Sequence, residues 1–213
     1  MAGPQSNEIN GREFTLGVDL DGVVADYEGW FRNFVAERKG IEPSDLPPVN
    51  HWSFAANGWF DTDADYLQAH RDAVNDHDMF AKLSPLAGVS DALWALSDAG
   101  IRIRIVTHRL VVNFIHAQAV RDTVSFLDTH DIPYRDICFV KDKADVGCDL
   151  YIDDAPHNIE ALRAKHGPSV AMVYDQAYNR HVPGLRAKHW GDVVAEVSLR
   201  TGLEIKVVER NAK

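Results

Sequence analysis

The sequence predicts an α/β fold in which a mostly parallel sheet is covered by helices on both faces. First, short apolar runs of strand length alternate with longer segments in which apolar residues recur at helical spacing. Second, charged or hydroxyl side chains directly follow several of the short runs. Alternating strands and helices are typical of βαβ units, and sheets built from them bind ligands at the carboxyl ends of their strands.

Composition sets the class of protein. The chain has 213 residues with 46% hydrophobic and 25% charged content, so we expect a soluble protein with one sizeable core and a small second module. A net charge of −10 argues against a nucleic-acid polymer as partner. The polar first dozen residues do not resemble a signal peptide, and no segment approaches the roughly 18 apolar residues of a membrane span, so we expect a cytoplasmic protein without a membrane partner. Cys138 and Cys148 are too few for a disulfide scaffold and are expected to be reduced thiols.

The first half of the chain begins with a strand in GREFTLGVDL, followed by a helix that ends near Gly40. Residues 41–60 hold three prolines, an Asn-Gly pair and four large aromatic residues, which indicates irregular structure. A second helix is predicted from Asp61 to about Met79, with Asp61 or Thr62 as its N-cap. The inward positions predicted for the two helices are Trp30, Phe31, Phe34, Val35, Tyr66, Leu67 and Val74.

After Pro85 the alternation becomes regular. The predicted strands are IRIRIV (101–106), ICFV (137–140), LYI (150–152) and SVAMVY (169–174). The predicted helices are marked by Val89, Leu93 and Leu96 before Gly100, by Phe114, Ala117, Val120, Val124 and Leu127, by residues 155–166, and by a last segment that starts near Trp190. DQAYNR (175–180) follows the last of these strands and is expected only to order a loop.

Four groups of polar residues fall at the carboxyl ends of these strands. They are Asp19 and Asp21 after the first strand, Thr107 after IRIRIV, Lys141 and Lys143 after ICFV, and Asp153 and Asp154 after LYI. Each group alone is explained by helix capping or by solvent at a strand end. Because parallel strands end at one edge of the sheet, the four groups together indicate a ligand site.

The residue types in this set suit phosphoryl transfer through a carboxylate. Asp19 and Asp21 are two apart in an extended segment and point the same way, and Gly22 lets the backbone turn and allows the close approach of a ligand. A carboxylate that approaches a phosphate monoester meets a repulsion of about 4 kcal/mol per charge pair at about 4 Å and an effective dielectric near 20. Mg²⁺ offsets this repulsion and prefers oxygen ligands, which Asp153 and Asp154 complete.

In this order, DLDGV (19–23), Thr107, the lysine of KDK (141–143) and YIDD (151–154) resemble the four motifs of the haloacid dehalogenase-like (HAD) hydrolases, over roughly residues 14–175. DLDGVVADYEGWF, the spacing from Lys143 to IDD and the aromatic-rich insert look like the type C 5′-nucleotidases, the group of 5′(3′)-deoxyribonucleotidases. The resemblance implies a Rossmann-like, HAD-like core of residues 13–26 and 82–205. It also implies a small, mainly helical cap at 27–81, a flexible N-terminus at 1–12 and a C-terminal tail at 206–213.

The resemblance also implies roles for single residues. Asp19 becomes the nucleophile that forms an aspartyl-phosphate, and Asp21 becomes the general acid and then the base. Thr107 and Lys143 bind the phosphate, with Lys141 as the alternative lysine. Mg²⁺ is expected on Asp19, on the backbone carbonyl of Asp21 and on the pair Asp153 and Asp154, with Asp153 as the direct ligand.

Two features leave alternatives open. The characterised nucleotidases of this type typically have Ser-Pro after the motif threonine, whereas this chain has His108 and Arg109. Arg109 either binds a phosphate or sugar oxygen of the substrate or lies in solvent, and the role of His108 is equally open. The cap aromatics either stack on a base or form the core of the cap; they are Trp52, Phe54, Trp59 and Phe60. Asp26 is expected to cap the following helix rather than to touch substrate.

The sequence therefore predicts a Mg²⁺-dependent phosphomonoesterase that hydrolyses (deoxy)nucleoside monophosphates. The alternatives are a phosphatase of the same fold that acts on a sugar phosphate or another small metabolite, a phosphotransferase, and a phospholigand-binding module without activity. The expected partner is a small phosphorylated substrate, and the choice between a monomer and a homodimer stays open.

Overall fold

The computed structural model of the chain describes residues 8–9, 12–111 and 116–210. A parallel six-stranded sheet lies at its centre, in the strand order β5-β4-β3-β6-β7-β8. The strands of this sheet are β3 (Thr15–Val18), β4 (Arg102–Thr107), β5 (Asp136–Phe139), β6 (Leu150–Asp153), β7 (Ala171–Tyr174) and β8 (Arg186–Ala187). A short antiparallel pair, β1 (Glu8–Ile9) and β2 (Arg12–Glu13), precedes them. The predicted parallel α/β architecture is confirmed.

Helices connect the strands. They are α1 (Tyr27–Lys39), α2 (Asp63–His77), α3 (Met79–Lys82), α4 (Val89–Asp98), α5 (His116–Thr129), α6 (Pro156–His166) and α7 (Trp190–Thr201). The predicted helix boundaries agree closely with these bounds. Gly40 ends α1 with a φ of 65°, and the Thr62 hydroxyl accepts a hydrogen bond from the backbone N–H of Asp65 at the start of α2. Among the described helices, none has both the length and the apolar character needed to cross a membrane.

The inward face of α5 agrees only in part with the prediction: Leu127 is buried and Val120 and Val124 are half-buried. Phe114 lies outside the described residues, and Ala117 is exposed, whereas Ala119, Asp122, Thr123 and Phe126 are buried. A search for apolar spacing misses this face because two of its buried residues are polar. The two-residue strand β8 was also not predicted, because nothing in its short sequence distinguishes it from a loop.

The segment between β3 and α4 leaves and rejoins the sheet at one place. Ala25 pairs with Pro85, the backbone N–H of Asp26 donates to the carbonyl of Ser84 at 2.8 Å, and that of Leu86 donates to Val24 at 2.7 Å. Between these points α1 and α2 pack around aromatic rings, with Phe31 against Phe54 and Trp59. The insert therefore has an aromatic centre of its own and a two-stranded connection to the sheet.

Candidate active site

The carboxyl ends of the strands meet at a cavity of about 610 Å³. β3 ends directly before Asp19, and its last residue, Val18, pairs with Ile105 of β4 and Ile152 of β6. The predicted residues that line the cavity are Asp19, Asp21, Thr107, His108, Arg109, Lys143 and Asp154. The sheet therefore gathers the groups that the sequence placed at four separate strand ends.

The first of two charged groups in the cavity is the Lys143 centre, formed by Lys143, Asp19, Asp153 and Asp154. The Lys143 Nζ atom lies 2.7 Å from Asp19 Oδ1 and 2.7 Å from Asp153 Oδ2, and its side chain is only 3% exposed. Burial lowers the pKa of Lys143, but the carboxylates of Asp153 and Asp19 raise it by more than burial lowers it. The net shift is upward, so the amine is charged. Lys141 is exposed, so Lys143 is the lysine that occupies the site.

The Lys143 centre carries more negative than positive charge. Asp19, Asp153 and Asp154 each present one oxygen within 4.8 Å of the others, a set that could hold a metal ion. Burial, with a further contribution from Asp153, raises the pKa of Asp19 to about 7 against the lowering effect of Lys143. The pKa of Asp154 is also raised, by burial and by the neighbouring Asp19 and Asp153. Three buried carboxylates with one ammonium fit an additional divalent cation.

The hydrogen bonds within this centre distinguish Asp153 from Asp154. Asp153 accepts bonds from Lys143, from the backbone N–H of Ala155 at 2.9 Å, and from the side-chain amide of Asn158 at 3.1 Å. Asp154 accepts the hydroxyl of Tyr178 on Oδ2, while its buried Oδ1 makes no hydrogen bond within the described part of the chain. Asp154 therefore keeps an oxygen that could bind a metal ion directly, whereas the sequence led us to expect Asp153 in this role.

The second charged group is the Arg109 centre, formed by Arg109 and Asp21. Arg109 Nη2 donates to Asp21 Oδ1 at 2.6 Å, and Nε donates to Oδ2 at 3.1 Å. The Arg109 side chain is 1% exposed and that of Asp21 is 28% exposed. Arg109 is therefore not in solvent, because its guanidinium is bound to Asp21, the second carboxylate of DLDGV.

The remaining predicted phosphate-binding residues lie close by. Thr107 is buried at the end of β4, and its hydroxyl oxygen accepts the backbone N–H of Arg109 at 3.3 Å. Burial and the neighbouring Lys143 lower the pKa of His108 to about 4, so this imidazole is neutral near pH 7.

Gly22 allows the backbone after β3 to pass close to the Asp154 carboxylate. Its φ is +83°, and a Cβ atom at this position would stand 2.3 Å from Asp154 Oδ2. A side chain would therefore displace Asp154 and strain the backbone. The close neighbour of Gly22 in the structure is thus the Asp154 side chain, and the close approach of a ligand stays a prediction.

The four cap aromatics divide into two pairs. Trp52 and Phe54 line the cavity. Trp59 is fully buried and donates its indole N–H to the carbonyl of Pro47 at 2.8 Å, and Phe60 packs on Phe31. Trp59 and Phe60 do not line the cavity and instead belong to the aromatic core of the insert. Of the four, only Trp52 and Phe54 are placed where they could stack on a base. Asp26 caps α1, as expected, by accepting the backbone N–H of Gly29 at 2.9 Å.

Three polar residues of the insert that the sequence did not single out as site residues also line the cavity. The Tyr27 hydroxyl lies 2.8 Å from His70 Nδ1 and 3.3 Å from the Tyr66 hydroxyl. Burial lowers the pKa of His70 to about 4, so its ring is neutral. Helical spacing identified Tyr66 as inward, but only the packing of α1 against α2 brings Tyr27 to Tyr66 and His70, which lie one turn apart on α2.

The segment DQAYNR (175–180) does more than order a loop, because three of its side chains bond to residues of the site. Tyr178 donates its hydroxyl to Asp154, and Gln176 donates its side-chain amide to the carbonyl of Gly22 at 2.7 Å. The buried Asn179 donates to the carbonyls of Asp154 and Tyr174, both at 2.8 Å. The sequence did hold a signal for this role: the segment is polar and directly follows the carboxyl end of a strand, as the four predicted groups do.

Trp52 connects the insert to this segment. Its ring is 49% exposed, and its centroid lies 5.5 Å from that of Tyr178 and 5.2 Å from that of His157. Both contacts are edge-to-face. Trp52 therefore lies over the side of the cavity where Tyr178 binds Asp154.

Known proteins resemble the chain in both sequence and fold. A protein of Chlorobaculum tepidum that bears an inferred 5′(3′)-deoxyribonucleotidase name is 39% identical over 189 residues, which is 89% of this chain and 92% of the relative. A structure from Bacteroides fragilis, assigned as a haloacid dehalogenase-like hydrolase, superposes with a TM-score of 0.53 at 20% identity and covers 82% of this chain and 96% of its own. A structure from Clostridium acetobutylicum, assigned as a phosphatase by prediction, gives a TM-score of 0.55 at 13% identity and covers 86% and 97%. The two structures show that the fold is HAD-like.

The sequence profile of the family described as "5′ nucleotidase, deoxy (Pyrimidine), cytosolic type C protein" matches residues 12–201. The match includes all four motif strands, the insert and DQAYNR. The chain therefore belongs to the type C 5′-nucleotidase family, a group of HAD-fold hydrolases that act on phosphoric monoesters.

Proposed function

We propose that the protein is a Mg²⁺-dependent phosphomonoesterase that hydrolyses (deoxy)nucleoside monophosphates through an aspartyl-phosphate on Asp19. The observation that carries this proposal is the position of Asp19. Its carboxylate contacts the buried Lys143 ammonium at 2.7 Å, in a cavity that also holds Asp21 and Thr107. A nucleophile, a proton carrier and two phosphate-binding groups are thus within reach of one small substrate.

The proposed reaction has two steps. In the first, an Asp19 oxygen attacks phosphorus, the bond from phosphorus to the ester oxygen breaks, and the departing oxygen takes a proton from Asp21. In the second, water attacks the phosphorus, gives a proton to Asp21 and releases Asp19 and inorganic phosphate. Lys143 neutralises negative charge on the phosphoryl oxygens, and the Thr107 hydroxyl donates a hydrogen bond to one of them.

We propose that Asp19, Asp154 and the backbone carbonyl of Asp21 hold Mg²⁺, with Asp153 orienting Lys143. The buried, unpaired Asp154 Oδ1 and the charge imbalance of the Lys143 centre support this assignment. A bound Mg²⁺ would neutralise phosphate charge, so that an anionic nucleophile can approach the substrate.

The substrate class is proposed from the cavity wall and the family. We propose that residues 27–81 act as a cap over a core of residues 13–26 and 82–205. The cap supplies Trp52 and Phe54 as aromatic surfaces for a base, and the Tyr27, Tyr66 and His70 group as polar partners for sugar or base. The family description contains the word cytosolic, and we propose the same location for this chain.

The test is the release of inorganic phosphate from a panel of nucleoside monophosphates and sugar phosphates, with Mg²⁺ or with EDTA. We expect release that requires Mg²⁺, favours nucleotides and is lost in Asp19→Asn. The control is Asp61→Asn, which changes an exposed carboxylate outside the cavity and keeps activity. Release that favours sugar phosphates would contradict the nucleotide assignment, and activity in Asp19→Asn would contradict the aspartyl-phosphate.

A further inference from the structure

Arg109 occupies an unusual position for a buried cation. It stands two residues after Thr107, on the loop that follows β4, and its guanidinium reaches back to Asp21, 88 positions earlier in the chain. Burying a guanidinium is unfavourable unless its N–H groups are bonded and its charge is offset. The contacts around Arg109 meet both conditions.

The contact with Asp21 restrains the rotation of the carboxylate as well as its position. Nη2 donates to Oδ1 at 2.6 Å, and Nε donates to Oδ2 at 3.1 Å and to Oδ1 at 3.3 Å. A planar guanidinium that binds both oxygens leaves a carboxylate little freedom to turn. Asp21 Oδ1 takes the short bond, and Oδ2 takes the longer one.

Arg109 is itself held by groups that have no part in the proposed chemistry. Its Nη1 donates to the Thr123 hydroxyl at 3.2 Å, and that hydroxyl donates to the carbonyl of Ala119 at 2.7 Å. The guanidinium carbon lies 4.2 Å from the centroid of the Phe80 ring and 5.7 Å from that of Phe126. The buried face of α5 and the end of the insert thus form a rigid support for the guanidinium.

We propose that Arg109 is a positioning residue that holds Asp21 with Oδ2 toward the leaving group of the substrate. This inference rests on the proposed role of Asp21 as general acid. When the ester bond breaks, the proton on Oδ2 moves to the departing oxygen, which keeps the electron pair of that bond. Asp21 becomes a carboxylate at that moment, and the fixed guanidinium already faces the negative charge that forms.

The test uses two substrates that differ in their need for a proton. A nucleoside monophosphate releases an alkoxide, which must be protonated, whereas p-nitrophenyl phosphate releases a stable phenolate. The parameter compared is kcat/KM, which reports the steps up to the first irreversible one and therefore excludes attack by water. We expect Arg109→Met to lower kcat/KM about 100-fold for the nucleotide and less than about threefold for p-nitrophenyl phosphate. Arg109→Lys is expected to recover part of the loss, because it restores the charge without the bidentate contact.

Two further variants keep the test decisive. Thr123→Val removes the bond that holds Arg109 and retains the side-chain shape, so it should give a smaller loss with the same selectivity, even if Arg109→Met does not fold. Arg135→Met changes an exposed arginine and should alter neither substrate. Equal losses on both substrates in Arg109→Met and Thr123→Val would overturn the inference, and a raised KM for both would indicate direct phosphate binding instead.

Asp21→Asn separates failure of this inference from failure of the proposed function. If Asp21→Asn loses the nucleotide reaction selectively and the Arg109 and Thr123 variants do not, the positioning role is wrong while the acid role stands. If Asp21→Asn lowers both substrates equally, the acid role is wrong, and the inference falls with it.

Discussion

The two charged centres of the cavity lie side by side but are balanced differently. The Lys143 centre has three carboxylates and one ammonium. Burial and Asp153 raise the pKa of Asp19, and burial, Asp19 and Asp153 raise that of Asp154. The Arg109 centre has one carboxylate on one guanidinium, with both oxygens of Asp21 bonded. In the first centre the carboxylates outnumber the ammonium, whereas in the second the two charges are paired one to one.

This difference indicates what each centre contributes. Buried carboxylates without enough cations destabilise the folded protein until a cation binds, which is the behaviour expected of a ligand site. A buried pair that is fully bonded becomes costly only when one partner is removed. We therefore expect ligand dependence at the Lys143 centre and structural dependence at the Arg109 centre.

The largest expected effect comes from replacing the two aspartates of the opening motif. Asp19→Asn and Asp21→Asn should each lower phosphate release by about 10³-fold or more. In EDTA, their stabilities should diverge. Asp19→Asn relieves repulsion and should leave the free energy of unfolding unchanged or higher, whereas Asp21→Asn should lower it by about 1 to 3 kcal/mol because a buried guanidinium loses its carboxylate. Urea unfolding measures both, and a change of the same sign in the two variants would contradict the comparison.

Mg²⁺ should stabilise the folded protein through the carboxylates of the Lys143 centre and not through the side chains of the Arg109 centre. At about 100 times its dissociation constant, an ion that binds only the folded protein adds about 2.7 kcal/mol to the free energy of unfolding. We expect thermal unfolding to show this increment in the native protein and in Arg109→Met, and to lose it in Asp154→Asn. An increment that survives Asp154→Asn would show that the unpaired Oδ1 is not a metal ligand.

Beside the Arg109 centre, burial keeps His70 neutral and lowers its pKa to about 4, below the unfolded value of 6.5. Between these two values the unfolded chain binds a proton that the folded chain does not, so the free energy of unfolding falls as the pH falls. The contribution of His70 should reach about 2 to 3 kcal/mol, and this contribution alone should be absent in His70→Gln, while that of His108 remains. Urea unfolding from pH 7 to pH 4 measures it. The exposed His116, changed to Gln, is the control and should keep the native slope.

The smallest expected effect is at Trp52, the residue of the insert that contacts Tyr178 beside the Lys143 centre. Because the ring is half exposed, Trp52→Ala should change the unfolding temperature little. It should raise the KM for nucleoside monophosphates about threefold to tenfold, because an aromatic surface of the cavity is lost. The control is Trp94→Ala, which lies on α4 outside the cavity. An unchanged KM in Trp52→Ala would argue against base stacking by this residue.

Most of the fold could be predicted because its signals are local. Apolar runs marked the strands, Gly40 and Thr62 marked helix ends, and the parallel arrangement placed Asp19, Thr107 and Lys143 at one edge. The buried face of α5 could not be predicted from apolar spacing, because Asp122 and Thr123 take inward positions. The short strand β8 is defined by its pairing with β7 rather than by its own residues.

The sequence by itself determined the order of the strands and helices, the edge that carries the site and the kinds of residue that meet there. The tertiary structure decided the partners. It places Lys143, which the resemblance favoured over Lys141, on Asp19. It alone showed Asp154 as the carboxylate with an unpaired oxygen, Arg109 on Asp21, and Tyr178 on Asp154. The physical reason is range. Hydrophobic patterning acts over a few neighbouring residues, whereas the pairing of a buried charge depends on which side chains from distant segments exclude water around it.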